Sequence, residues 1–309
     1  MEPQKRKNIL VVTLSNIGDV ILTTPVISSL RSNSPGARMI VVVGPKAAGL
    51  LEGSRQIDRL LIYDKFAGWL HRLKLVRELR EESYDWVVDL RNSGFPFFVR
   101  AHRRSPVFRF HQARRARDRH LEILQMMKLP TESSTGFDFF SNQDEDSLSQ
   151  KLRKKGAELS LPWVVVSPGA GSETKRWRIV GFCHVVDHLL ESTYFHVAVV
   201  GDASEKLLGA KLAEIDSRRV LNLTGEISLR ELGALVARAK LVLSNDSAVM
   251  HLGYELQRPV VALFGPTDHQ KYGRENKIWK IIRNPWMERI SPEKVFEACS
   301  KLLSEIPQF

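Results

Sequence analysis

The chain has 309 residues, 43% of them hydrophobic and 26% charged, with two cysteines and a formal net charge of +11. That length is long for one core and predicts two domains. Cys183 and Cys299 are too few and too far apart for a disulfide framework or a zinc site, and read as reduced thiols of a cytoplasmic protein. No apolar run approaches the ~18 residues that a membrane-spanning helix needs, and Met1 to Lys7 is polar, without a signal-peptide core.

Strands and helices are expected in alternation from the start. Asn8–Leu14 reads as a strand buried on both faces, Ser15–Asp19 as a turn, and Val20–Leu30 as a helix with Pro25 inside it. A strand follows at Arg38–Val43, a helix near Pro45–Leu51, a strand at Arg59–Tyr63, a longer helix at Gly68–Glu82 and a strand at Asp85–Leu90. Arg91-Asn92-Ser93-Gly94 leads into a basic stretch, Arg100–Arg119, with eight arginines against one acid, Asp118. Such a segment predicts an anionic partner: nucleic acid, a phospholipid surface or an acidic glycan. Helices are expected at His120–Leu129 and at Asp144–Glu158, the latter closing a first domain of residues 1–158.

The second half, 159–309, repeats the alternation. Strands are expected at Trp163–Ser167, His196–Val200, Val220–Leu223, Leu241–Ser244, Pro259–Phe264 and Ile278–Ile282. Helices fill the intervals, and Ser291–Leu303 is a final helix with proline at its second position. The most informative stretch is Leu241–Asp268, where Asn245-Asp246-Ser247 supplies helix-capping side chains directly after a strand. A helix N-terminus at the carboxyl edge of a parallel sheet suits a phosphate, although an ordinary capped βαβ unit has the same pattern.

The familiar catalytic signatures are missing. The first turn, S-N-I-G-D, is not G-x-G-x-x-G, and no G-x-x-x-x-G-K-[ST], H-E-x-x-H or G-x-S-x-G occurs. Asp19 is placed either to accept a proton from a hydroxyl nucleophile or to cap a helix, and the residue pattern favours the cap. Lys175, after the glycine-bearing turn Pro168–Ser172, is either a diphosphate contact or a solvated lysine. His251 either faces the Asp246 pocket or packs locally, and Glu205 either holds ribose hydroxyls or complements a helix dipole.

Four blocks in order, NILVVTLSNIGDVILTTPVISSLR, YDWVVDLRNSG, SPGAGSETKRW and LTGEISLRELGALVARAKLVLSNDSAVMHLGYELQRPVVALFGPTD, closely resemble glycosyltransferase family 9, the bacterial heptosyltransferases. The resemblance implies an α/β fold of GT-B architecture, two Rossmann-like domains facing across a cleft, with acceptor bound by the first and nucleotide-sugar donor by the second. It implies an inverting, metal-independent transfer, with no cofactor, of heptose from ADP-L-glycero-D-manno-heptose to a hydroxyl of the lipopolysaccharide inner core. Asp19 falls on the general base of the family's GD motif, and Lys175 on the lysine that contacts donor phosphate and sugar. Asp246, Ser247 and His251 fall on the donor motif D-[TS]-G-x-x-H. Glu205 matches a ribose-binding acid, Ile227 lies where adenine is held, and Ser172 joins the donor set.

Two positions depart from the family pattern. Ala248 stands where glycine is usual, and His269 where proline often follows G-P-T-D. Asn16, Arg100, Arg103, Arg104, Arg114 and Arg115 are expected on a face for the acceptor or for anionic lipid, with Phe95–Val99 beside them dipping into a membrane interface. The implied location is cytoplasmic, peripheral on the inner membrane. The alternatives are a family member using another nucleotide sugar, a silent glycan-binding member, and a nucleic-acid binder, which the lack of interleaved aromatics and RRM or zinc signatures disfavours.

Overall fold

The computed structural model describes residues 6–107 and 109–305, without the side chain of Phe95. Residues 1–5 of the polar start therefore lie outside the described residues. The chain divides into two compact units, Met1–Phe139 and Phe140–Phe309.

In the first unit the order is β1 (Asn8–Val12), α1 (Ile17–Asn33), β2 (Arg38–Val43), α2 (Pro45–Leu51), β3 (Arg59–Ile62), α3 (Trp69–Arg80), β4 (Ser83–Asp89), α4 (Phe95–Phe98), β5 (Arg100–Arg104) and α5 (Ala116–Met126). Among the described residues these strands form a five-stranded sheet, β3-β2-β1-β4-β5, with parallel pairings. Parallel strands with helices on the faces must be apolar on both sides, and Ile9 to Val12 and Met39 to Val43 are accordingly buried throughout. Helix α1 begins three residues before the expected Val20 and runs through Pro25. Proline has no N–H for the Ile21 carbonyl, and the Thr24 hydroxyl donates to that carbonyl instead, at 2.8 Å. The edge strand β5 and the short helix α4 have too few residues to show a period, as does a four-residue helix at His269–Tyr272 in the second unit, and none of them is expected from the sequence.

In the second unit the order is α6 (Asn142–Lys154), β6 (Trp163–Ser167), α7 (Ile179–Ser192), β7 (His196–Val199), α8 (Lys206–Ala213), β8 (Val220–Asn222), α9 (Leu229–Arg238), β9 (Leu241–Asn245), α10 (Ala248–Glu255), β10 (Val260–Phe264), α11 (His269–Tyr272), β11 (Trp279–Arg283) and α12 (Pro292–Ser304). The described strands form a parallel six-stranded sheet, β11-β10-β9-β6-β7-β8, so chain order reverses between β6 and β9. Every residue of β6, β9 and β10 is buried. Among the described residues no helix is long and apolar enough to cross a membrane.

The division falls earlier than the expected boundary after Glu158, for a side-chain reason. The polar run after α5 is pinned to the first unit: Ser29 Oγ donates to Pro130 O, Asn33 Nδ2 to Glu132 O, Gln56 Nε2 to Gly136 O and the Arg55 amide to Asp138. Helix α6 instead packs on α9. Arg230 pairs with Asp144 at 3.0 Å, and the buried Glu231 takes Ser147 Oγ at 2.6 Å and Lys151 Nζ at 2.7 Å.

Burial acts to raise the Glu231 carboxyl. The bonds from Lys151, Ser147 and the Ser228 amide, with the Lys151 charge, outweigh it and hold the group below its ordinary 4.5. A depressed carboxyl adds stability that is full above pH 4.5 and lost as pH falls through the folded value. Glu231→Gln is therefore expected to cost about 2 kcal/mol at pH 7. The gap from wild type should narrow as pH falls below 4.5 in urea titrations, and a gap that does not change with pH contradicts the assignment.

Candidate functional site

Doubly wound sheets leave a crevice at the carboxyl edge where strand order reverses. In the second unit that edge lies between β6 and β9, and the residues singled out in its two loops meet there. Asn245, the last residue of β9, is fully buried. Its Nδ2 donates to Pro168 O at 2.9 Å and Gly169 O at 3.0 Å, and its Oδ1 accepts from the Trp177 amide at 3.2 Å. One amide thus fastens both ends of the loop after β6, and the 3-10 turn Glu173–Lys175 is held between them. From that turn Lys175 Nζ reaches Asp246 Oδ2 at 2.8 Å. The lysine side chain is 35% exposed and the aspartate 5%, so the pair presents its positive end outward.

Around this pair the loop chemistry is ordered. The Asp246 amide donates to Leu263 O, continuing the β9–β10 ladder and fixing the direction of the carboxylate. Ser247 caps α10, its Oγ accepting from the Val249 amide, and lies 2.8 Å from Ser244 Oγ. Ala248 is the first helical residue. His251 is buried, with the Tyr254 and Tyr272 rings edge-on to it at centroid distances of 6.5 and 6.4 Å. Tyr272, on α11, also lies under Lys175, with Nζ 6.0 Å from its ring centroid. Asp268, the last residue of G-P-T-D, caps α11 through the Gln270 and Lys271 amides. Tyr272 was missed by sequence reading, because a four-residue helix carries no periodic signal.

Glu205 sits at the same edge, next to β6 and β7. It forms a capping box with Asp202, and a β-carbon added to Gly169 or Gly201 would collide with its carboxylate. Glycine at both positions is what admits the side chain. Burial raises the Glu205 carboxyl above the ordinary glutamate value, against hydrogen bonds from the Asp202 and Ala170 amides. Ser172 is exposed, with its hydroxyl 3.0 Å from that of Thr174, and Ile227 follows β8 in a half-buried turn.

The first unit has its own reversal between β1 and β4. Asp19 is not the cap of α1. Asn16 holds that position, and its Nδ2 donates to Asp19 Oδ2 at 3.0 Å, with Asp19 in the first helical turn. His120, which sequence reading saw only as the start of a helix, lies on α5 within electrostatic reach of Asp19. Burial pushes its imidazole down to about 4; Asp19 pulls it up, while His111 and Arg109 push it down further. A histidine with that value is neutral at pH 7. Asp89, fully buried at the end of β4, accepts from the Arg91 amide and from both the amide and the hydroxyl of Ser93. That network shapes the Arg91–Gly94 turn, in which Asn92 and Gly94 have left-handed backbones.

The arginine-rich stretch is less uniform than its composition suggests. Arg104 donates to Pro96 O and Val99 O, Arg109 to Pro106 O and Asp89 O, and Arg119 to Ala113 O. Arg104 therefore braces the chain around α4, beside whatever part it takes in a binding face. Arg100, Arg103, Arg114 and Arg115 are exposed.

A capped helix start at the carboxyl edge of a Rossmann-like unit is where folds of this class commonly take a phosphate-bearing ligand. Comparison with known proteins narrows the class. The sequence profile of glycosyltransferase family 9 (heptosyltransferase) matches residues 72–298, and the chain belongs to that family. It is a glycosyltransferase of GT-B fold. The lipopolysaccharide heptosyltransferase 3 of Escherichia coli (strain K12) is 28% identical over 307 residues, covering 88% of this chain and 83% of that one. A glycosyl transferase family 9 structure from Veillonella parvula superposes with a TM-score of 0.84 at 23% identity, covering 97% and 98% of the two chains. The E. coli ADP-heptose lps heptosyltransferase II superposes at 0.79 with 21% identity, covering 96% and 99%.

Asn245→Ala leaves two buried carbonyls and one amide without their partner. It is expected to destabilise the second unit by about 3 kcal/mol in urea unfolding. An unchanged unfolding midpoint would remove the tie from the account of this loop.

Proposed function

We propose that the protein transfers heptose from ADP-L-glycero-D-manno-heptose to a hydroxyl of the lipopolysaccharide inner core, with inversion at the anomeric carbon and without a metal ion. The observation that carries this reading is the Lys175–Asp246 pair at the β6–β9 crevice, beside a capped helix N-terminus and the half-buried Glu205. The names of the relatives, a lipopolysaccharide heptosyltransferase and an ADP-heptose enzyme, supply the donor and acceptor classes.

The diphosphate is taken by Lys175 and the amides at the start of α10, with Ser172, Ser247 and Ala248 along its path. His251 and Asp246 orient the sugar side, Glu205 binds ribose hydroxyls, and Ile227 lies along the adenine. Asp19, oriented by Asn16, takes the proton of the acceptor hydroxyl as its oxygen attacks the anomeric carbon. The bond to the diphosphate breaks, and ADP leaves as an anion stabilised by Lys175 and the helix N-terminus, so no second carboxylate has to act as acid. The first unit serves the acceptor and the second the donor. Arg100, Arg103, Arg104, Arg114 and Arg115 meet anionic core sugars or anionic lipid, with the enzyme cytoplasmic and peripheral on the inner membrane. The Ala248 methyl narrows the approach to phosphate that glycine leaves open.

ADP release from this donor with a heptose-deficient core acceptor tests the reading. Wild type should turn over equally with and without EDTA, and NMR of the product should show the inverted anomer. Asp19→Ala should lower kcat about 10³-fold with little change in donor KM, and Lys175→Ala about 10²-fold. No release of ADP by wild type overturns the assignment of donor and acceptor.

A further inference from the structure

The helix α3 carries an unusual outer face. Leu75 and Leu79 point to the sheet, in one core cluster with Leu10, Val12, Tyr84, Val87 and the Val99 that follows α4. At 100° per residue Leu70 and Leu73 then fall on the opposite side and Trp69 on the flank beside them, and Trp69, Leu70 and Leu73 are exposed by 68%, 65% and 54%. Phe66, in the turn before the helix, is 84% exposed, and on the contacting helix α4 Phe97 and Phe98 are also exposed. A scatter of single exposed apolar residues is normal, but five large ones on two touching helices, with Phe66 in the turn before them, form a patch of the kind that marks an interaction surface.

The charges beside the patch choose its partner. Along α3, Arg72, Lys74, Arg77 and Arg80 are exposed, with Lys65 just before the helix. The one acid within the helix, Glu78, is engaged by Arg59 of β3, while Glu81 follows its end and Asp64 precedes Lys65. The outer face is thus apolar in its first turns and basic in its last. Leu73, Val76, Arg77, Arg80 and Glu81 line an open groove where the two regions meet. Aromatic and leucine side chains flanked by lysine and arginine suit the boundary between acyl chains and anionic headgroups.

We propose that α3 and α4 form a wedge that docks the first unit on an anionic lipid bilayer, with Trp69, Leu70 and Leu73 entering the acyl boundary and Arg77 and Arg80 on the headgroups. This rests on the peripheral-membrane part of the proposed function and not on the identity of the sugar. It extends the contact expected at Phe95–Val99 to the helix expected at Gly68–Glu82, to which the sequence alone assigned no partner.

Cosedimentation with vesicles of phosphatidylethanolamine and phosphatidylglycerol tests the wedge, with neutral phosphatidylcholine vesicles as control. Wild type should bind the anionic vesicles more strongly, and high salt should weaken that binding. The triple variant Trp69→Ser, Leu70→Ser, Leu73→Ser should lose at least about tenfold in affinity. Brominated lipid should quench part of the wild-type tryptophan emission, and Trp69→Phe should abolish that part. The replaced groups are exposed, so the circular dichroism spectrum and ADP release on a lipid-free core oligosaccharide should match wild type. The proposal is overturned if wild type ignores anionic vesicles, if the triple variant binds them equally, or if the patch instead drives lipid-independent dimerisation that the triple variant abolishes. Vesicle binding without heptose transfer would uphold the wedge and remove the sugar assignment; transfer without vesicle binding would do the reverse.

Discussion

A single buried amide sets the geometry of the second unit's site. Asn245 ends β9 with its backbone in the sheet and its side chain saturated by two carbonyls and an amide of the neighbouring loop. Burial without those partners would cost more than folding could readily offset, so the loop has little freedom to drift. Lys175 and Asp246 inherit their separation from that constraint. A lysine on an unrestrained loop would lose side-chain and backbone entropy on meeting a diphosphate, whereas here much of that ordering is already done.

The two units apply the same topology to opposite charge. In each, chain order reverses beside the first strand, and a helix starts at the carboxyl edge. In the first unit the turn of α1 carries a carboxylate, Asp19, next to a histidine kept neutral by burial. In the second, the edge presents an ammonium group above a capped helix. A carboxylate suits removal of a proton and an ammonium suits a departing diphosphate, and that division matches the roles proposed for the two units.

Much of this was legible in the sequence, and the omissions have physical causes. Long apolar runs such as Trp163–Ser167 and Val260–Phe264 announce parallel strands buried on both faces, and the boundaries found lie within a few residues of those expected. The capping run Asn245-Asp246-Ser247 located α10, and proline at the second position of Ser291–Leu303 located α12. The division into units falls before α6 and not after it, because the amphipathic pattern of α6 says nothing about which neighbour it covers; Asp144, Ser147 and Lys151 acquire meaning only opposite Arg230 and Glu231. Asp19 was favoured as a cap because aspartate is a good cap, yet Asn16 occupies that place. His120 and Tyr272 give no sequence signal because their partners lie far along the chain or on elements too short to show a period, and Asp89 reads as the end of a strand until the Arg91–Gly94 turn folds back on its carboxylate.

Calorimetric titration of ADP against AMP probes the central geometry most directly, since the two ligands differ by the phosphate assigned to Lys175 and the start of α10. With the diphosphate seated there, ADP binds wild type at least about tenfold tighter than AMP, and Lys175→Ala erases most of the difference. Equal affinity of wild type for the two nucleotides, or a preference for ADP that survives loss of the lysine, would contradict it.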